Sequence, residues 1–290
     1  MNIKTLYISI LFLFAFQSNT GATPQFFIKI SPEKKLVKYG KLDVGLYTTK
    51  LDYVTINDKP IETSSEKALK WINNTIVKDS SAKVLFFIHG FWGSLPYALH
   101  FTSKTFNNDY FKTDSFSVKA IIHIMWDASG IIYKQSLISI NESYETLSVL
   151  LNNIDKEICF KTSLMCHSMG NRLLYETISN KNITIKFSEL ILIAPDLDYR
   201  KFEKNLHLFS ALGNNVYVFY HKKDLILNIS KRINDIERLG RISKYSNKSN
   251  ISFIDCTNIK DDSSLDKFNN HLYFLTSKTV ISRVEKILNN

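Results

Sequence analysis

This chain of 290 residues is poor in several residue types, and each shortage excludes something. It carries three cysteines, Cys159, Cys166 and Cys256. That odd, low number excludes a disulfide-held scaffold and leaves a Cys159–Cys256 pair open. Five prolines and nine glycines exclude a collagen-like or Pro-rich disordered chain. No segment repeats at a fixed period, which excludes a solenoid. There is no His-x-x-x-His, no Cys-x-x-Cys and no carboxylate cluster at ligand spacing, so no metal site is expected. Basic residues are not interleaved with aromatics in any nucleic-acid motif, so nucleic acid is not an expected partner.

Only the N-terminus holds a long apolar run. Lys4 precedes Leu6–Phe16, about 11 residues broken by Ser9 alone, against the ~20 that a spanning helix needs. Gln17 to Ala22 is small and polar. The pattern reads as a signal peptide over 1–22, with export to the periplasm or beyond. An uncleaved N-terminal membrane anchor is the alternative, and with no Cys after the run a lipoprotein anchor is excluded. Formal net charge is +10, and between Arg200 and Asn250 eleven Lys/Arg face four Asp/Glu. Such a face suits an anionic envelope surface or an acidic substrate, or is simply solvated.

Hydrophobic residues at 44% and charged residues at 22% are enough for a real core. Short apolar runs at Val84–Ile88, Ala120–Met125, Ser163–Cys166, Leu190–Ala194, Val216–Tyr220 and Ile251–Ile254 have the length of strands buried on both faces. Between them lie helix-length stretches: Asn141–Ile158, Met169–Ile178, Asp224–Leu239 and Leu272–Leu288. This alternation predicts an α/β fold with a mostly parallel sheet flanked by helices. Phe26–Ile30 and Leu42–Ile56 read as antiparallel edge strands, and Ser64–Val77 as a helix. With no linker visible, residues 23–290 are expected to form one domain.

Cys166-His167-Ser168-Met169-Gly170 follows an apolar strand and opens a helix, the setting of a nucleophile elbow. The sharp turn needs small residues two before and two after the serine, met here by Cys166 and Gly170. A serine needs a base, and in this arrangement the acid and the histidine follow it in the chain. His271 precedes the last helix, whereas His207 falls within a helix and His221 lies too near Asp224. Asp224 is the expected acid and Asp196, one strand earlier, the rival. Met169 and either Phe91 or Trp92 would supply oxyanion N–H groups. His89 is expected to fix that loop, and Trp126 either walls a cleft or packs in the core. The bland reading of both Ser168 and Asp224 is helix N-capping.

From about Lys83 to Leu275 the sequence resembles an uncharacterised bacterial alpha/beta-hydrolase family whose elbow reads A-H-S-M-G-N. The resemblance takes in His89-Gly90-Phe91, Ala194-Pro195-Asp196, Asp224-Leu225-Ile226-Leu227 with Ser230, and His271-Leu272-Tyr273-Phe274. Trp126-Asp127-Ala128-Ser129-Gly130 stands where the family carries S-W-P-S, which makes Trp126 and Asp127 candidates for the substrate cleft. The resemblance implies an α/β-hydrolase fold, hydrolysis of a carboxylic ester of a small molecule or lipid, and no cofactor. Hydrolysis of a thioester or amide on the same residues, or a non-catalytic envelope-binding protein, are the competing readings. Oligomeric state is not legible.

Overall fold

The computed structural model describes residues 11–12, 25–30, 61–62, 82–91, 102, 106, 118–128, 133–154, 161–242, 250–259 and 270–289. Its strands are β1 (Leu11–Phe12), β2 (Gln25–Lys29), β3 (Ile61–Glu62), β4 (Lys83–Ile88), β5 (Val118–Met125), β6 (Thr162–His167), β7 (Phe187–Ile193), β8 (Gly213–Tyr220) and β9 (Ile251–Asp255). Its helices are α1 (Tyr133–Asn152), α2 (Gly170–Asn180), α3 (Tyr199–Lys204), α4 (Leu206–Leu212), α5 (Leu225–Asn234), α6 (Tyr273–Thr276) and α7 (Lys278–Asn289). β1 and β3 pair antiparallel in a separate two-stranded sheet. The other seven strands form one sheet in the order β2-β5-β4-β6-β7-β8-β9, and every neighbouring pair is parallel.

One expectation is corrected here. Phe26–Ile30 does lie at the sheet edge, but it runs parallel to β5, with Phe26 opposite Ile122 and Ile30 N donating to Met125 O at 2.8 Å. Alternation of apolar residues reports which face is buried and carries no information on strand direction. Leu42–Ile56 and Ser64–Val77 fall outside the described residues.

The period of two along each strand sorts side chains onto two cores. Phe86, Ile88, Leu164, Cys166, Leu190 and Leu192 face one side, where α1, α2, α3 and α4 cover them. Leu85, Phe87, Met165, Ile191 and Ile193 face the other, closed by Phe274 and by Val280, Val284 and Leu288 of α7. From β4 the chain goes outward to β5, then returns across the sheet to β6 on the opposite flank. The direction of the chain thus reverses between β4 and β6, the place where sheets of this kind are expected to open a ligand crevice.

Helix limits differ from expectation for local reasons. α1 starts at Tyr133, eight residues before the expected Asn141; the buried positions of that extra stretch are Ser136, Ser139 and Ile140, too few of them aliphatic to show a helical spacing. α5 stops at Asn234, where Asp235 turns left-handed at φ 51°. The last helix breaks at Ser277, whose hydroxyl accepts from Val280 N and starts α7 afresh. Cys256 is a free, buried thiol, and Cys159 lies outside the described residues. No helix of the described residues is long and apolar enough to cross a membrane.

His123, fully buried on β5 against the rings of Phe87 and Phe106, titrates only at about 3 because burial opposes its charge. The unfolded chain takes up that proton near pH ~6.5, so stability falls as pH drops from there toward the folded value. His123→Leu is expected to flatten the pH dependence of the urea midpoint between about pH 7 and 5. An unchanged slope would mean that other buried groups set it.

Candidate active site

Ser168 sits at the tip of the turn from β6 into α2, in the left-handed region at φ 51°. Such a conformation costs about 1–3 kcal/mol in a residue with a side chain and survives only where the surroundings hold it. They do. Ser168 N donates to Ile193 O at 3.0 Å, and Asp196 N donates to Ser168 O at 3.0 Å. The buried Asn171 amide reaches the carbonyls of Cys166, Ser168 and Ile193 at 3.1, 3.1 and 3.3 Å. A Cβ at Gly170 would stand 2.6 Å from His89 O, and one at Gly90 would stand 2.7 Å from Ser168 Cβ. Cys166 fits two residues before the serine because its side chain points into the core, where burial pushes its thiol well up.

The loop before α6 delivers His271, directly after Asn270 at φ 53°. His271 Nδ1 meets Asp224 Oδ2 at 2.7 Å, and its Nε2 meets Ser168 Oγ at 3.0 Å. With a carboxylate on Nδ1, that nitrogen carries the proton and Nε2 faces the serine as acceptor. The N-cap reading of Asp224 also holds: Oδ1 accepts from Leu227 N at 2.8 Å while Oδ2 faces His271. Ser168 caps nothing with its side chain, and Met169 occupies the cap position of α2. All three residues are buried, with Ser168 4% exposed.

The structure does not bring Asp196 to this line. Its Oδ1 accepts from Ser230 Oγ at 2.5 Å and faces Arg238 Nη1 at 3.6 Å, and its Oδ2 accepts from Tyr133 at 2.8 Å. His221 Nδ1 accepts from Lys223 N in the turn before Asp224, and His207 is exposed on α4. His167 packs its ring 4.8 Å from that of His271 and meets the His271 carbonyl with Nε2 at 3.3 Å. Burial lowers the His167 pKa well below the usual range, so the ring is neutral.

The loop after β4 lies against the serine. His89 titrates at about 4, lowered by burial, and is therefore neutral. Its Nε2 accepts from Trp126 N at 3.2 Å, so Nδ1 carries the proton and donates to Gly90 O at 2.8 Å. This bond fixes the Gly90–Phe91 peptide plane and turns the Phe91 N–H to the opposite side. Met169 N, at the first turn of α2, makes no hydrogen bond among the described residues. Trp92 lies outside those residues. Of the two readings of Trp126, core packing matches its burial: its ring stacks on His89 at 5.6 Å and its Nε1 donates to His89 O at 2.9 Å. Asp127 follows it, half-buried, at the end of β5.

Sequence reasoning missed the cluster around Asp196. Tyr133 accepts from Arg172 and Asn234, each at 3.1 Å, while Arg238 is 1% exposed beneath them. Arg238 gave no signal, since a lone arginine in a basic stretch of sequence reads as surface. Among the described residues no group of three or more His, Cys, Asp or Glu could hold a metal. Asn171→Ala would leave up to three elbow carbonyls without this donor, at about 1–3 kcal/mol. It is expected to lower the urea midpoint and, through a loosened Ser168, to slow reaction with serine-directed probes; a variant slowed in neither respect would show the elbow self-supporting.

Solved structures similar to this chain include the ydeN gene product of B. subtilis, 14% identical with TM-score 0.42, covering 72% of this chain and 100% of that one. MenH from S. aureus is 13% identical with TM-score 0.36, covering 72% of this chain and 95% of its own. FphF, a fluorophosphonate-binding serine hydrolase of S. aureus, is 13% identical with TM-score 0.33, covering 72% and 84%. No curated protein matches the chain. Residues 64–288 match the family described as "Alpha/beta hydrolase of unknown function (DUF900)", and on that match, with the parallel sheet already described, the chain belongs to this alpha/beta-hydrolase family.

Proposed function

We propose that this hydrolase-family chain is an exported serine hydrolase of carboxylic esters, small-molecule or lipid, with Ser168 as nucleophile, His271 as base and Asp224 as the orienting acid. The observation that carries the reading is the unbroken hydrogen-bonded line from Ser168 Oγ through both ring nitrogens of His271 to Asp224.

In the proposed reaction His271 Nε2 takes the hydroxyl proton as Ser168 Oγ attacks the ester carbonyl. The carbonyl oxygen becomes an oxyanion beside the N–H groups of Met169 and Phe91, with Trp92 N–H as the other candidate donor. The positive end of α2 adds to that stabilisation. The protonated His271 gives its proton to the departing alcohol, leaving an acyl group on Ser168. Water then enters, His271 takes its proton, and the acid is released with Ser168 restored. Asp224 keeps Nδ1 protonated and stabilises the imidazolium while it lasts.

A fluorophosphonate probe is expected to label the wild type, fail on Ser168→Ala and react far more slowly with His271→Ala. Asp224→Asn is expected to lower kcat on an ester by about 10⁴-fold. A folded wild type that takes no probe and turns over no acyl substrate would reduce the elbow to architecture and favour a binding protein.

A further inference from the structure

The six large hydrophobic side chains most exposed among the described residues are not scattered. Four of them, Leu225, Ile226, Ile229 and Ile233, lie on α5 and are between 39% and 54% exposed. At 100° per residue they occupy a single stripe of about 100°. Leu227 and Ser230 point the other way, into the protein. Hydrophobicity would ordinarily send such residues inward, and a contiguous exposed set marks an interaction site.

Position and charge say what the stripe meets. α5 begins one residue after Asp224. Its inner face reaches Asp196 through Ser230 and Tyr133 through Asn234, and Asp196 N in turn holds Ser168 O. The helix thus lies beside the crevice, with its stripe facing outward. Cations flank the stripe: Lys222 and Lys223 are exposed just before it, and Arg232 is exposed along its side. Lys222 pairs with Asp255 at 3.3 Å, whereas Lys223 and Arg232 form no ion pair among the described residues. The whole chain carries +10. An apolar stripe rimmed by cations is the pattern of a helix that lies in a bilayer interface and is drawn to anionic headgroups. A second copy is a poorer occupant, because four half-exposed aliphatic side chains fall short of the ~800 Å² per partner that a stable dimer buries.

We propose that the outer face of α5 docks on an anionic lipid surface, setting the crevice against the membrane. Leu225, Ile226, Ile229 and Ile233 enter the acyl boundary while Lys222, Lys223 and Arg232 contact headgroup phosphates. The docking requires no turnover and stands whether or not Ser168 is a nucleophile.

The test places one thiol-linked fluorophore on the full-length Cys159→Ser chain, at Ile229→Cys or at Val149→Cys. Cys166 and Cys256 are buried, and Val149 lies on α1 roughly 24 Å from the end nearest α5. Vesicles carry phosphatidylglycerol in phosphatidylcholine and a nitroxide on the acyl chain. Both probes sit on the same full-length chain, so any vesicle binding by the N-terminal apolar run is common to both and only the orientation of the folded part distinguishes them. Several-fold stronger quenching at 229 than at 149 is expected. It should weaken in high salt or on pure phosphatidylcholine, and fall to the 149 level with Ile233→Glu and Arg232→Glu added. Equal quenching at both positions, none at 229, equal quenching on neutral vesicles, or a stripe buried in a concentration-dependent oligomer would each overturn the proposal.

Discussion

Everything at the site depends on how closely three backbone segments approach one another. The ends of β4, β6 and β7 converge on a turn that no ordinary side chain would let close. Gly90 lies against the Ser168 Cβ, Gly170 against the carbonyls of Ile88 and His89, and Ser168 itself is forced to positive φ. Strain of this kind is held by cooperation: Ile193 O takes the serine N–H, Asp196 gives its own N–H to the serine carbonyl, and Asn171 ties the surrounding carbonyls. The sheet supplies the rigid base that lets a strained turn persist, and the turn lifts one hydroxyl above the sheet edge.

Around that point the polar groups act in pairs, each fixing the next. Trp126 sets the tautomer of His89, and His89 sets the peptide plane before Phe91. Asp224 divides its two oxygens between the first turn of α5 and His271. His167, neutral and packed under His271, meets that residue's carbonyl. Tyr273 donates to Phe219 O and accepts from Ala194 N, joining the His271 loop to the ends of β7 and β8. Buried polar groups of this kind are costly unless satisfied, and their mutual satisfaction makes the geometry specific.

Much of this was legible in the sequence. Parallel strands buried on both faces read as unbroken apolar runs, so the six expected core strands emerged at their positions. The elbow was legible because its steric demands leave a pattern of small residues around Ser168. The order of Ser168, Asp224 and His271 was legible because each stands just beyond a strand or before a helix. Direction was hidden at β2, since alternation is the same for either sense of pairing. The first turns of α1 were hidden because serines face inward there. His123 and Arg238 were hidden because ionisable residues read as surface until their neighbours are known. Asp224 was the expected acid and Asp196 its rival, because both follow strands, and it is Asp224 that meets His271.

The order of strands in the sheet also has a meaning in time. Among the described residues β2 pairs with β5 alone, whose first residue lies nearly ninety positions farther along the chain. Every pairing in this sheet is parallel, so none can form through a tight hairpin. A chain emerging from its N-terminus must therefore leave β2 unpartnered until β5 has emerged, while β6 to β9 can add one after another on the far flank. Such non-local pairing slows folding and exposes strand edges meanwhile. The edge held by β2 is thus the seam at which refolding is expected to lag and at which a partly folded chain would first stick to another.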